Sequence, residues 1–145
     1  MNSRLKECEQ YRDRRSNPSV SEKGKTFQIK NDKKIEVACI RIDNCVFGVG
    51  DGIKCDYLFE VPEKKKLFYV ELKGSDIIAG IRQIAETLKQ TKEVYPGWVY
   101  EARIVAGGRV PSGISNRKEI EELRRICNGG KVDIHHKHTY IENIV

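Results

Sequence analysis

The chain has no apolar run near the 20 or so residues that a membrane-spanning helix needs. It holds one Trp, one Met and four Pro, and its five cysteines include no C-x-x-C pair. Its glycine-rich segment at 48–52 lacks the Gly-Lys-Ser/Thr ending of a phosphate-binding loop. Neither repeats nor low-complexity tracts occur. These absences argue against a zinc ribbon, a P-loop enzyme and a solenoid. The first residues, MNSRLKECEQYRDRRS, are too charged for a secretory h-region, so a cytoplasmic protein is expected. Cys8, Cys39, Cys45, Cys55 and Cys127 make an odd set without metal-ligand spacing, and no disulfide framework is expected. Cys39, Cys45 and Cys55 lie in strand-like runs, where a thiol packs as a small hydrophobe.

What is present is charge. Of 145 residues 33% are Asp, Glu, Lys or Arg, with 27 basic against 21 acidic side chains and a net charge of +6. A basic balance favours a polyanionic partner, because each neutralised phosphate releases counterions. The length suits one domain over 1–145, with a basic helix or arm in 1–25. Leu5, Cys8 and Tyr11 have helical spacing within 3–12, and Arg12, Arg14 and Arg15 beside them are candidate phosphate contacts.

Alternation of apolar and polar residues predicts strands over 26–30 and 35–42, with a short one at 45–47. Asp76 or Ser75 is placed to cap a helix whose stripe is Ile78, Ile81, Ala85 and Leu88. Arg82, a candidate nucleic-acid contact like Arg109 further along, and Gln83 lie on the other side of that helix. A strand follows over 98–106, then a loop carrying Arg109. Asn116 and Glu119 fit a capping box for a helix that stops at Asn128 and two glycines. A last strand is expected at 132–135, continuing through 139–141. His136 and His138 share a strand face, but no cysteine or further ligand stands nearby to complete a zinc site.

The most informative stretch is 54–74, KCDYLFEVPEKKKLFYVELKG. Two aromatic and branched runs, 55–60 and 67–73, flank a polar turn with Pro62, which reads as a β-hairpin. Asp56, Glu71 and Lys73 break the apolar pattern. Alternation puts Glu71 and Lys73 on one face, and pairing of the strands would bring Asp56 beside Glu71. Adjacent carboxylates in an apolar sheet repel and lose solvation. A hard divalent cation relieves both costs, with the Leu72 carbonyl as a further oxygen ligand. A lysine beside a metal-bound water then orients it or stabilises charge on a phosphate. These are the parts of metal-assisted phosphodiester hydrolysis.

Asp56, followed by Glu71-Leu72-Lys73 and then Gly74 before a helix, resembles the core of the PD-(D/E)xK, or restriction-endonuclease-like, nuclease superfamily. The stretch most closely similar to small standalone bacterial members covers 35–90. The chain departs from the motif in having Cys55, not proline, before the aspartate. The resemblance implies an α/β fold with a central mixed β-sheet flanked by helices. It implies Mg2+ (or Mn2+) on Asp56 and Glu71, and Lys73 assisting the attacking water. It also implies a helix glutamine, here Gln83, that holds the site or the nucleic acid. A further acidic residue is expected from Glu22, Glu36 or Asp51, with Glu22 ranked lowest for its loop-like surroundings. The expected activity is hydrolysis of DNA. The alternatives are a catalytically silent nucleic-acid-binding module, a subunit of a larger complex, or an RNA-directed nuclease. A chain this short has little surface to enclose a duplex, so a homodimer is expected, built on apolar surface of the helix at 77–90. A mass near 16.6 kDa in gel filtration would exclude it.

Overall fold

The computed structural model describes every residue except Val49, Asp51, Ile53, Gly74, Ser75, Gly108, Arg109, Pro111, Ser115, Asn116 and Val145, and describes Lys73 by its backbone alone. A short helix α1 (Asn2–Glu7) leads into strand β1 (Glu9–Asp13). Strands β2 (Ser19–Glu22), β3 (Lys25–Lys30), β4 (Val37–Arg41), β5 (Tyr57–Val61) and β6 (Lys66–Lys73) follow. Helix α2 (Ile77–Thr91), β7 (Val99–Ala106), α3 (Lys118–Ile126), β8 (Val132–His136) and β9 (Thr139–Asn143) complete the order.

The strands form two sheets. The larger is six-stranded and mixed, in the order β1-β4-β5-β6-β7-β8, and the smaller is β2-β3-β9. From β1 to β6 the pairings are antiparallel, whereas β6–β7 and β7–β8 are parallel. A parallel pair needs a crossover, and α2 supplies it between β6 and β7. The expected mixed α/β arrangement is therefore present, with helices on one face of the main sheet and the small sheet on the other.

Each face of the main sheet has its own core. Leu67 and Tyr69 of β6 pack with Ile77, Ile81, Ile84 and Leu88 of α2. Phe68, Val70 and Leu72, one residue out of phase, pack with Phe27 and Ile29 of β3. Covering on both faces explains why β6 reads as a near-continuous apolar run. The apolar stripe of α2 is thus spent inside the chain. Among the described residues the exposed large hydrophobics are Met1 and Ile141, neither on α2.

Several sequence expectations require correction. The helix at 3–12 stops after Glu7, because the alternating residues that follow pair with β4, Tyr11 beside Cys39. The segment 1–25 is built into both sheets rather than forming an arm. Residues 45–47 lie in a turn with an isolated bridge between Asp43 and Phe47. The run from 132 to 141 divides between the sheets, β8 joining β7 and β9 joining β3. The cysteine reading fails for one pair: Cys8 and Cys45 form a disulfide with Cα atoms 5.8 Å apart. Five cysteines leave room for two bonds at most, and folding of β1 onto β4 brings these two distant positions together. Cys39, Cys55 and Cys127 are free and buried, Cys39 and Cys55 as expected. The α2 cap is Asp76, whose Oδ1 accepts from the Ala79 N–H at 3.0 Å. Helix α3 starts after Arg117 with no side-chain cap, and the expected cap Asn116 lies outside the described residues.

The sheets are tied by a buried cation. Arg103 of β7, 3% exposed, meets Glu101 at 2.7 Å and Glu142 of β9 at 2.6 Å. Its guanidinium also donates to the Ala102 and Lys131 carbonyls. Removing one partner of such a group leaves buried charge uncompensated. Arg103→Met is expected to cost about 3–5 kcal/mol, read as a lower urea midpoint, with Glu142→Gln costing less.

Candidate active site

The hairpin of β5 and β6 has the register Tyr57 beside Val70, so the next pair toward the open end is Asp56 and Glu71. The Asp56 carboxylate is fixed by the backbone: its Oδ2 accepts the Leu72 N–H at 2.8 Å. Glu71 is buried, 2% exposed, and alternation places it on the helix-covered side with Tyr69. Helix α2 steadies the approach to Asp56. The Thr87 hydroxyl accepts the Cys55 N–H at 2.9 Å while donating to the Gln83 carbonyl at 2.8 Å.

Two further carboxylates act on Asp56 through their charge. Burial pushes the Asp56 carboxyl up to about 6, and the charges of Glu22 and Asp43 push the same way, against the Leu72 N–H and Lys23. Glu71, Asp56 and Asp43 also add to the burial that raises the Cys55 thiol. Arg41 draws the outer part together. Its Nε donates to the Asp43 carbonyl at 3.1 Å, and its Nη2 stands 4.0 Å from Glu22. Glu22 reaches the site because β2 is a strand paired with β3, Glu22 beside Lys25, and not the loop its sequence suggests. Glu36, the rival candidate, pairs with Arg12 at 3.0 Å. It precedes β4 at the end away from Arg41, which pairs with Tyr57 next to Asp56. Asp51 lies outside the described residues, as do Arg109 and the side chain of Lys73.

Gln83 lies on the first half of α2, one turn before Thr87. Its carbonyl supports Thr87, and its side chain lines a cleft of about 590 Å3 between α2 and α3, with Arg82, Lys118 and Glu119. Sequence reading also passed over Thr87, Arg41, Asp43 and Lys54. Lys54 is 1% exposed, its ammonium 4.8 Å above the Phe47 ring. Fully buried lysine is rare without compensation, yet nothing in a local pattern distinguishes it from a surface lysine. The histidines do not assemble a site: His135 stacks on Tyr140, and His138 faces Lys25.

The arginines proposed for nucleic acid divide. Arg12 is held by Glu9, Glu36 and Glu60, and Arg15 by Asp13 with its guanidinium over the Tyr11 ring. Arg14 reaches the Lys34 carbonyl at 3.4 Å. Arg82 is 68% exposed, 3.5 Å from Glu119. Arg82 and Arg14 therefore keep more freedom to meet a phosphate than Arg12 and Arg15.

The donor set suits a hard cation. It consists of oxygens, one Asp56 oxygen is already oriented by the Leu72 N–H, and burial, with the negative charge of Glu22 and Asp43 behind it, raises Asp56. Among the described residues no three His, Cys, Asp or Glu side chains form a closed metal cage. Magnesium asks for less, since one or two carboxylates with waters and a phosphate hold it. The chain matches no family model, no curated protein and no solved structure.

Asp56 sets a pH dependence whose sign follows from its displacement. A carboxyl raised in the fold from 3.8 to about 6 binds protons more tightly than in the unfolded chain. Stability in metal-free buffer therefore falls as pH rises across that interval. Asp56→Asn keeps an oxygen for the Leu72 N–H and is expected to flatten this fall. At pH 7 it is expected to raise the melting temperature, as thermal scans in EDTA at several pH values would reveal.

Proposed function

We propose that this protein is a small magnesium- or manganese-dependent nuclease that hydrolyses phosphodiester bonds in DNA. The observation that carries this reading is the β5–β6 register, with Asp56 opposite Glu71 and its carboxylate on the Leu72 amide. A restriction-endonuclease-like core is supported by three features. An apolar strand carries each motif, a tight hairpin separates them, and the Asp76-capped α2 follows β6.

In this reading Asp56, Glu71 and the Leu72 carbonyl hold the cation, and Lys73 orients the attacking water and offsets charge on the phosphate. When bound, the metal polarises the phosphate and lowers the pKa of a coordinated water. The rest is the work of the chain. The Leu72 N–H fixes the Asp56 rotamer, and Thr87 holds the backbone one residue earlier. Glu22 and Asp43 deepen a negative potential that favours a divalent cation. Gln83 supports Thr87 and acts as a positioning residue. Arg82 and Arg14, both exposed, are offered to the DNA backbone, which a net charge of +6 attracts. Two strands of a duplex require two sites, which a homodimer would supply. Its interface must use a surface other than the buried stripe of α2.

Calorimetric titration with Mn2+, followed by incubation with plasmid and single-stranded DNA, tests the reading. The wild type is expected to bind metal and cleave, and Glu71→Ala to lose both. Lys73→Met is expected to keep the metal while cleavage drops about 10²–10⁴-fold. A wild-type protein that binds no divalent cation would sink the proposal.

A further inference from the structure

Cys8 and Cys45 join two parts of the chain that meet at the edge of the candidate site. Cys8 is buried where α1 passes into β1, and its carbonyl accepts the Arg41 N–H at 3.0 Å. Cys45 is exposed, in the 42–47 turn that follows β4. That turn touches the site through its backbone, the Ile42 N–H donating to the Asp56 carbonyl at 3.0 Å. It also carries Asp43, whose carbonyl takes the Arg41 Nε–H, and Phe47, whose ring lies under the Lys54 ammonium. Among the described residues the Cys45 and Phe47 amides converge on the Ile42 carbonyl at 3.3 and 3.2 Å, Asp43 and Phe47 form an isolated bridge, and Val46 and Phe47 are buried in the core. Between these anchors the turn is exposed at Asn44 and Cys45, where the covalent tie adds its own hold beside Asp43.

We propose that the Cys8–Cys45 bond is an exchangeable latch on this site. Closed, it holds the 42–47 turn against Asp56; opened by a dithiol reductant, it frees the turn and weakens divalent-cation binding. The second half rests on the metal reading above, and the first does not.

The chemistry balances as ordinary exchange. A thiolate of the reductant attacks the sulfur of Cys45, the exposed residue of the pair, forming a mixed disulfide and expelling the Cys8 thiolate, which takes a proton. The second thiol of the reductant then attacks its own sulfur in the mixed disulfide. Cys45 leaves as a thiolate and is protonated, and the reductant departs as a disulfide. Two electrons and two protons are transferred, and an oxidised dithiol reverses the steps. Attack is directed to Cys45 because its partner is buried. Reshuffling to other thiols is disfavoured, since Cys39, Cys55 and Cys127 are all buried and burial pushes Cys39 and Cys127 up to about 12.

The full chain is tested under native conditions, oxidised and after dithiothreitol, with Cys45→Ser as a permanently open form at an exposed position. Alkylation followed by peptide mass spectrometry reads the bond, hydrogen exchange reads the turn, and calorimetry with Mn2+ reads the site. Cys8 and Cys45 are expected to become alkylated only after the reductant, while the three buried cysteines stay protected. The 42–47 amides should then exchange faster, and Mn2+ affinity should fall about tenfold, with Cys45→Ser matching the reduced wild type. Free Cys8 and Cys45 thiols in the oxidised protein, or a bond that opens only on unfolding, would overturn the latch. Unchanged exchange of the turn, or equal Mn2+ affinity in both forms, would overturn its coupling to the site. A turn that loosens in a protein binding no Mn2+ in either form would uphold the latch and remove the metal reading alone.

Discussion

Strand β6 is covered on both faces, and this constrains every polar group near its end. Buried carboxylates are expensive in an apolar sheet unless something answers their charge. Asp56 is met by the Leu72 amide, but the approach of Glu22 and Asp43 then adds negative charge to a group already short of water. The chain concentrates acid where burial makes acid costly. Such local conflict between stability and placement is typical of sites kept for chemistry.

The neighbouring elements are arranged around that conflict. Helix α2 shields one face of the sheet, and its Thr87 secures Cys55 so that Asp56 enters β5 at a fixed height. The small sheet covers the other face and carries Glu22 on its edge strand. Arg41 bridges the small sheet and the turn after β4. At the opposite end of the main sheet a separate network, Arg12 with Glu9, Glu36 and Glu60, satisfies its own charges. The two ends of the sheet thus differ electrostatically, one closed by pairing and one left rich in carboxylate.

The hairpin, α2 and a strand at 98–106 were legible from the sequence, because alternation, a turn with Pro62 and a capped amphipathic stripe are local signals. The facing of Asp56 and Glu71 followed once the two runs were read as neighbouring strands of one hairpin. What stayed hidden depends on contacts between distant segments. Residues around Ser19–Glu22 look like loop until β3 pairs with them, so Glu22 seemed a poor candidate. Cys8 had helical spacing with Leu5, and nothing near it in sequence marks Cys45 as its partner. Arg12 and Arg15 read as a basic arm because their acidic partners are scattered from Glu9 to Glu60. Thr87 and Lys54 have no distinguishing neighbours in sequence at all.

Strand β9 enters the small sheet parallel to β3, Thr26 beside Thr139. This pairing joins segments from nearly opposite ends of the described chain, and loop-closure entropy makes such contacts slow to form. The sheet that carries Glu22 therefore stays incomplete during synthesis until the segment at 139–143 has left the ribosome. A nascent chain already holding β5, β6 and α2 would have its hairpin acids and Glu22 on β2, with β3 still lacking its second neighbour. Closure of the small sheet is thereby deferred to a late folding step, after the central strands are committed.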